Sequence, residues 1–168
     1  NDGLKKAKIR DLTGALASLK KSIRFDKYNK DARNLLGLVY YGRGEVPRAM
    51  AVWIVSERLN PRENVATEYL KSCRESKNWL DTVDQAAKKY NQCLQYCRQG
   101  GEDLAIIQLK KIVSEQPDFL RAFQLLALLY LHTSQYAKAR QVLRTAQRLD
   151  TTDPVTLGYI YELNRMHK

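Results

Sequence analysis

Between Leu35 and Pro61 the chain reads LLGLVYYGRGEVPRAMAVWIVSERLNP. Apolar residues recur at helical spacing, stop at GRGEVP, and recur at helical spacing again. The pattern predicts two amphipathic helices joined by a tight turn. Pro47 falls in the first turn of the second helix, where its missing N–H costs nothing, and Pro61 closes the pair. The stretch FQLLALLYLHTSQYAKARQVLRTAQRLD repeats the design. Aligned on the first, it sets Gly37 on Ala127, Tyr40 on Tyr130, Ala49 on Ala139, Trp53 on Leu143 and Leu59 on Leu149. One repeat earlier than Ala49 stands Ala15, followed by Leu19. One repeat earlier than Ala139 stands Ala105, followed by Leu109. Small residues let two helices approach closely, and large ones fill the space beside them. A hairpin cannot cover its own apolar face, so such units are expected to stack.

These positions resemble the tetratricopeptide repeat family: aromatic-x2-Leu-Gly-x2-Tyr, then Ala-x3-aromatic, then Pro, in about 34 residues. The unit at 30–63 carries Leu36, Gly37, Tyr40, Ala49, Trp53 and Pro61, with Arg33 at its first large position. The unit at 120–153 carries Phe123, Leu126, Ala127, Tyr130, Ala139 and Leu143, with Thr151 in place of the proline. The unit at 86–119 keeps Tyr96, Ala105, Leu109 and Pro117, with Lys89, Gln92 and Cys93 in other slots. The first unit shows Ala15 and Leu19 and begins partway through its first helix. The resemblance implies an all-α protein, an α-α superhelix of stacked helical hairpins. It also implies a peptide or protein partner lying along the concave groove made by the first helices. By position that groove includes Asp31, Asn34, Leu38 and Tyr41, then Tyr90, Leu94 and Cys97, then Arg121, Gln124, Leu128, Leu131 and His132. The family's carboxylate clamp needs a set of Lys, Asn and Arg that does not recur here, so it is not carried over.

One stretch breaks the phase. The interval from Ala49 to Ala105 is longer than one unit, and the surplus falls near 64–85. Val65, Tyr69, Leu70 and Cys73 predict a short amphipathic helix, ESKN a break, and Trp79 to Cys97 one long apolar stripe. The expected organisation is N-terminal repeats over 1–63, an irregular helical insertion over 64–85, C-terminal repeats over 86–153, and a capping helix over 154–168. Asp153 is placed to cap that last helix, with Pro154 at its first position. FQLLALLYL is hydrophobic nearly all round, so a partner or another helix of the chain must cover it.

Composition agrees. The chain has 168 residues, 8 Gly and 4 Pro, and good helix formers dominate. The net charge is +11. Residues 1–63 hold 14 Lys and Arg against 7 Asp and Glu. Lys20, Lys21, Arg24 and Lys27 form a basic patch within that third. A solvated outer face is the plainer reading of the patch. An acidic partner, nucleic acid or an anionic surface is the alternative. Three cysteines, Cys73, Cys93 and Cys97, argue against a disulfide framework and for a reducing compartment. Cys93 and Cys97 share a helix face, a spacing that half a metal site or a redox pair would also use. No nearby His or Cys completes such a site, and buried thiols are the favoured reading.

No phosphate loop, nucleophile elbow or metal-spaced histidine pair is present. His132 and His167 stand far apart in the sequence. Asp81 and Asp84 suit a helix N-terminus without catalysis. Tyr40, Tyr96 and Tyr130 hold packing positions, whereas Tyr28, Tyr41 and Tyr90 are less committed to the core. No stretch reads as a signal peptide or a membrane span. The start at Asn1 suggests a fragment or a processed form. The expectation is a monomeric, cytoplasmic, non-enzymatic interaction scaffold without cofactor. Its anchor is the apolar groove, and its partner's acidic flank is drawn to the basic third. An accessory domain for nucleic acid or an anionic surface is the alternative.

Overall fold

The computed structural model describes residues 2–166; Asn1, and the end of the expected capping helix with His167 and Lys168, lie outside the described residues. Among the described residues every regular element is an α-helix. The chain divides into two compact units, Asn1–Thr82 and Val83–Lys168.

The first unit holds α1 (Asp2–Lys8), α2 (Leu12–Phe25), α3 (Lys30–Gly42), α4 (Val46–Leu59), α5 (Val65–Glu75) and the start of α6 (Lys77–Arg98). The second holds the rest of α6, then α7 (Glu102–Glu115), α8 (Leu120–His132), α9 (Tyr136–Leu149) and α10 (Pro154–Met166). ESKN does break the chain, at Ser76, and the stripe beyond it is one continuous 22-residue helix. Such a helix is about 33 Å long.

Local chemistry sets the ends. Asp11, Asn29, Asn64 and Asp153 each accept a backbone N–H from the first turn that follows, at 2.7, 2.8, 3.0 and 2.9 Å. Pro47 sits in the first turn of α4. The hairpin turns share one backbone feature. Arg10, Gly44, Gly100 and Ser134 occupy the same repeat position, and all four have positive φ, at 63, 72, 73 and 57°. The turn therefore demands the left-handed region. Glycine supplies it freely twice; Arg10 and Ser134 adopt it at a cost.

Each unit has its own core. In the first, Leu12, Ala15, Leu19, Leu36, Val39, Tyr40, Ala49, Trp53, Leu70 and Cys73 pack together. In the second, Ala86, Tyr90, Cys93, Ala105, Leu109, Leu126, Ala127, Tyr130, Ala139, Leu143 and Leu163 do so. Ala15, Ala49, Ala105 and Ala139 are wholly buried, as close approach of paired helices requires. The structure adds one position to the repeat. Gly3 stands one repeat before Gly37. A Cβ on Gly3 would meet Leu19 Cγ at 2.7 Å, just as one on Gly37 would meet the indole of Trp53. Gly3 is thus the close-approach residue of the first hairpin, and α1 aligns with Leu36–Gly42, the second half of α3.

α10 starts where a further first helix would, one repeat after α8. It carries Tyr161 where α3 has Gly37 and α8 has Ala127. It packs on α8 and α9.

Candidate functional site

The expected groove residues separate into two groups. Leu38 and Tyr41 on α3, and Leu128 on α8, are exposed. Arg121 and His132 are also exposed, and Leu94 and Cys97 are partly so. Asn34, Tyr90 and Leu131 are buried instead. Each has a reason.

Asn34 belongs to a closed polar network. Its Nδ2 donates to Asn64 Oδ1 at 2.8 Å, and Ser56 Oγ donates to its Oδ1 at 2.6 Å. Its carbonyl accepts from Trp53 Nε1 at 3.1 Å. Asn64 in turn donates to Ser56 Oγ at 3.2 Å and to the Asn60 carbonyl at 3.0 Å. Both side-chain amides are satisfied, so burial carries no desolvation penalty left open. The network ties α3 and α4 to the residue that caps α5. Gln124, at the same repeat position in α8, does the same work. Its Nε2 donates to Asp153 Oδ1 at 2.6 Å and to Thr156 Oγ1 at 3.1 Å, at the start of α10. A position that the repeat alone assigns to the groove is used to fasten the next helix in line.

Tyr90 packs on Phe119, with ring centroids 5.3 Å apart, and the Arg121 guanidinium lies 5.7 Å from the centre of its ring. Burial raises its hydroxyl pKa, and Arg121 partly opposes that rise. Leu131 joins the core of the second unit. α8 is apolar nearly all round because helices of its own unit cover it; Leu128 is the large apolar residue that it leaves exposed.

Leu128 is not alone in kind. The same repeat position holds Leu4 in α1, Leu38 in α3 and Leu94 in α6. Leu4, Leu38 and Leu128 are 39, 38 and 41% exposed, and Leu94 is partly buried. Leu38 lies one turn before Tyr41, which meets both Trp53 and Trp79, at 6.1 and 5.8 Å between ring centres. Trp53 extends the aromatic series to Tyr69, at 5.0 Å.

Lys20, Lys21, Arg24 and Lys27 lie on or just beyond the last turns of α2, and all four are exposed. The Lys20 ammonium lies 5.8 Å from the centre of the Tyr40 ring, and that of Lys27 lies 5.0 Å from Tyr28.

The three thiols are free. Burial pushes all three up from the usual thiol range, Cys93 to about 11. Thiols held neutral in this way are weak nucleophiles and weak ligands. His132 Nε2 lies 3.9 Å from Glu102 Oε1 on the exposed end of α8. Among the described residues no three His, Cys, Asp or Glu side chains come together as a metal site. Among them, too, no helix is long and apolar enough to cross a membrane.

The helix pairs, the shared close-approach residues and the shared turn geometry settle the architecture. The fold is tetratricopeptide-like. No family model matches the chain, and neither does any curated protein. Solved structures similar to it include MamA, at 24% identity over 88% of this chain and 87% of that one, with a TM-score of 0.41. YrrB, a TPR protein with an unusual peptide-binding site, is 17% identical over 93% of this chain and 87% of its own, with a TM-score of 0.42. The TPR domain of P58(IPK) is 14% identical over 98% of this chain and 54% of its own, also at 0.42. Superpositions this loose add nothing to the geometry, and the assignment rests on the chain's own repeat.

Two signals in the sequence escape an alignment of the clearest repeats. Gly3 is found one repeat before Gly37. The common leucine of α1, α3, α6 and α8 is found by reading one repeat position across all four first helices.

Proposed function

We propose that the chain is a non-enzymatic protein-interaction scaffold that takes a peptide or protein segment on the exposed faces of its first helices. The observation that carries this reading is the repeated leucine. A leucine that recurs at one position in four first helices, and is about two-fifths exposed in three of them, is a costly choice for a purely solvated face, where polar residues serve better. A row of half-exposed apolar residues flanked by polar ones matches how partner segments are anchored. Leu4 and Leu38 with Tyr41 offer such a face in the first unit; Leu94 and Leu128 with Arg121 and His132 offer one in the second.

The basic turns of α2 supply the second element. Residues 1–63 carry twice as many basic as acidic side chains, so a partner with an acidic flank is favoured there. Such charges set association rate and salt dependence more than affinity. Site-specific photo-crosslinking tests the assignment. A photoreactive amino acid at 38 or 128, used in extract of the native cell, should trap one discrete protein. The same residue at Arg144, which is exposed on α9, should not. Equal trapping from all three positions would rule the faces out.

A further inference from the structure

The second helix of each pair, α2, α4, α7 or α9, turns one side away from its unit. Counted from the close-approach alanines Ala15, Ala49, Ala105 and Ala139, that side holds the residue just before the alanine and those two, five, six and nine after it. In the first unit these positions carry Lys20, Lys21 and Arg24 on α2, and Arg48 and Arg58 on α4. In the second they carry Lys110 and Lys111 on α7, and Lys138, Arg144 and Arg148 on α9. Each of these cations is exposed, and no outer position is acidic. The charge therefore belongs to the repeat and not to the N-terminal third alone. α4 has α3 and α5 packed on it and still leaves Arg48, Ala51, Val55 and Arg58 open, so the face does not depend on an end of the stack. In the second unit, Glu102 and Glu115 of α7 reach His132 and Lys89, at 3.9 and 3.5 Å. α7 also carries what the other second helices lack. Leu104 and Ile107, one turn apart on its outer side, are 57 and 66% exposed. The same two positions hold Gly14 and Ala17 in α2, Arg48 and Ala51 in α4, and Lys138 and Gln141 in α9.

We propose that the outer side of α7 and α9 is a seat for an anionic phospholipid surface. It lies on second helices and so leaves the leucine faces of the first helices free. The pairing of cations with large aliphatic side chains selects the occupant. A bilayer surface takes both. Its anionic head groups meet Lys110, Lys111, Lys138, Arg144 and Arg148, while Leu104 and Ile107 enter the boundary between head groups and acyl chains. A nucleic acid would use the cations only. Single strands need aromatic rings to stack on, and none of the outer positions is aromatic. A duplex would meet the cations through its phosphates and leave the two aliphatics in water. Two aliphatic side chains are also too little apolar core for a stable protein interface, which buries about 800 Å² on each partner. Asp103, one residue before Leu104, is exposed and opposes an anionic surface. It stands in the first turn of α7, where the helix's unpaired N–H groups favour a carboxylate.

The probe is a phosphatidylcholine vesicle, with or without about one-third phosphatidylserine. The 168-residue chain should co-sediment with the mixed vesicles and bind those of phosphatidylcholine alone at least about tenfold more weakly. A cation near such a surface contributes about fivefold in affinity. Lys110→Gln with Lys111→Gln and Arg144→Gln should therefore weaken binding at least about tenfold, and Asp103→Asn should strengthen it severalfold. Leu104→Ser with Ile107→Ser should weaken it at least about fivefold, and that loss should persist at high salt, where the charge contribution fades. All these side chains are exposed, so circular dichroism should show the fold kept. Leu157→Ser, at a residue 40% exposed on α10, should change nothing. Equal binding to both vesicles, indifference to loss of Leu104 and Ile107, or an equal loss in Leu157→Ser would overturn the proposal. DNA that displaces the vesicles at equal phosphate concentration, and binds the Leu104→Ser, Ile107→Ser variant as tightly as the unsubstituted chain, would make nucleic acid the occupant. Self-association that this variant loses while it still binds vesicles would make a second copy the occupant. Either result also overturns it.

Discussion

Gly37 lies against the indole of Trp53, and that indole is pinned by its own hydrogen bond to the Asn34 carbonyl at 3.1 Å. A methyl group at 37 has nowhere to go. Alanine would gain about 1 kcal/mol of helix propensity over glycine. Against that, overpacking costs about 1–3 kcal/mol, and a displaced indole N–H left unpaired costs about 1–3 kcal/mol more. The clash wins, so Gly37→Ala should lower stability by a net of about 1–5 kcal/mol. Thermal unfolding checks this, and Gly158→Ala is the control, because a Cβ there meets nothing within 4 Å. Gly158→Ala should hold or raise the midpoint.

The hairpin turns predict a gain. Ser134 has φ of 57° at the position where Gly44 and Gly100 stand. A non-glycine residue pays about 1–2 kcal/mol for that region, and glycine's larger unfolded-state entropy takes back about half of it. Ser134→Gly should therefore stabilise by about 0.5–1 kcal/mol. A urea midpoint that falls would show the turn to be held by the serine side chain instead.

The Asn34 network should behave as a unit. Asn34→Leu leaves Ser56 Oγ without its acceptor and removes the donor to Asn64, at a cost of about 1–3 kcal/mol. Adding Ser56→Ala removes the orphaned hydroxyl and should recover part of the loss. Strict additivity of the two in a double-mutant cycle would show that the residues act separately. Amide exchange should also speed up in α5, which the network fastens.

The thiols give a pH dependence. Burial raises Cys93 to about 11, and raises Cys73 and Cys97 as well. An unfolded thiol ionises near its ordinary value while the folded one keeps its proton. The unfolded state therefore binds fewer protons in that window, and stability falls as pH rises. The contribution is intact below about pH 8.5 and drains between there and about 11. Tyr90, Tyr130 and Tyr159, also raised by burial, add to the fall at its upper end. Cys93→Ala should flatten the melting-temperature profile over this window relative to its own value at neutral pH. An unchanged slope would place the titration elsewhere.

Much of this architecture could be read from spacing, because close approach leaves a mark that few residues satisfy. Gly37, Ala49, Ala105 and Ala139 are legible for that reason, and so is the break at Ser76. What spacing does not reveal is the direction of a polar side chain. Asn34 and Gln124 hold positions that alignment gives to the groove. Only the contacts with Asn64, Ser56, Asp153 and Thr156 show that they bond to the next helix in line. Tyr90 is open on sequence, since a tyrosine serves either as core or as contact; Phe119, in the turn after α7, decides for core. Phe25 gives no signal at all. An apolar residue at a helix end reads as core, and its exposure, 83%, becomes visible only when the short reach of α1 is seen.

Leu128 and the basic turns of α2 divide the functional prediction between them. Leu128 is 41% exposed, so Leu128→Glu places its carboxylate in water in the free protein and should leave the melting temperature nearly unchanged. Against an apolar partner residue the same carboxylate is desolvated without a counter-charge, and binding of the partner trapped at 128 should be abolished. Lys20→Glu with Arg24→Glu acts differently. Both side chains stand at the surface, so their pairing with an acidic flank is screened by salt and contributes little affinity. The reversal should slow association, weaken binding modestly, and matter less as salt is raised. Surface plasmon resonance at two salt concentrations separates the two effects. Should the charge reversals alone abolish binding, or should the unsubstituted chain bind generic DNA or RNA with a steep salt slope, the basic patch and not the leucine face is the recognition element.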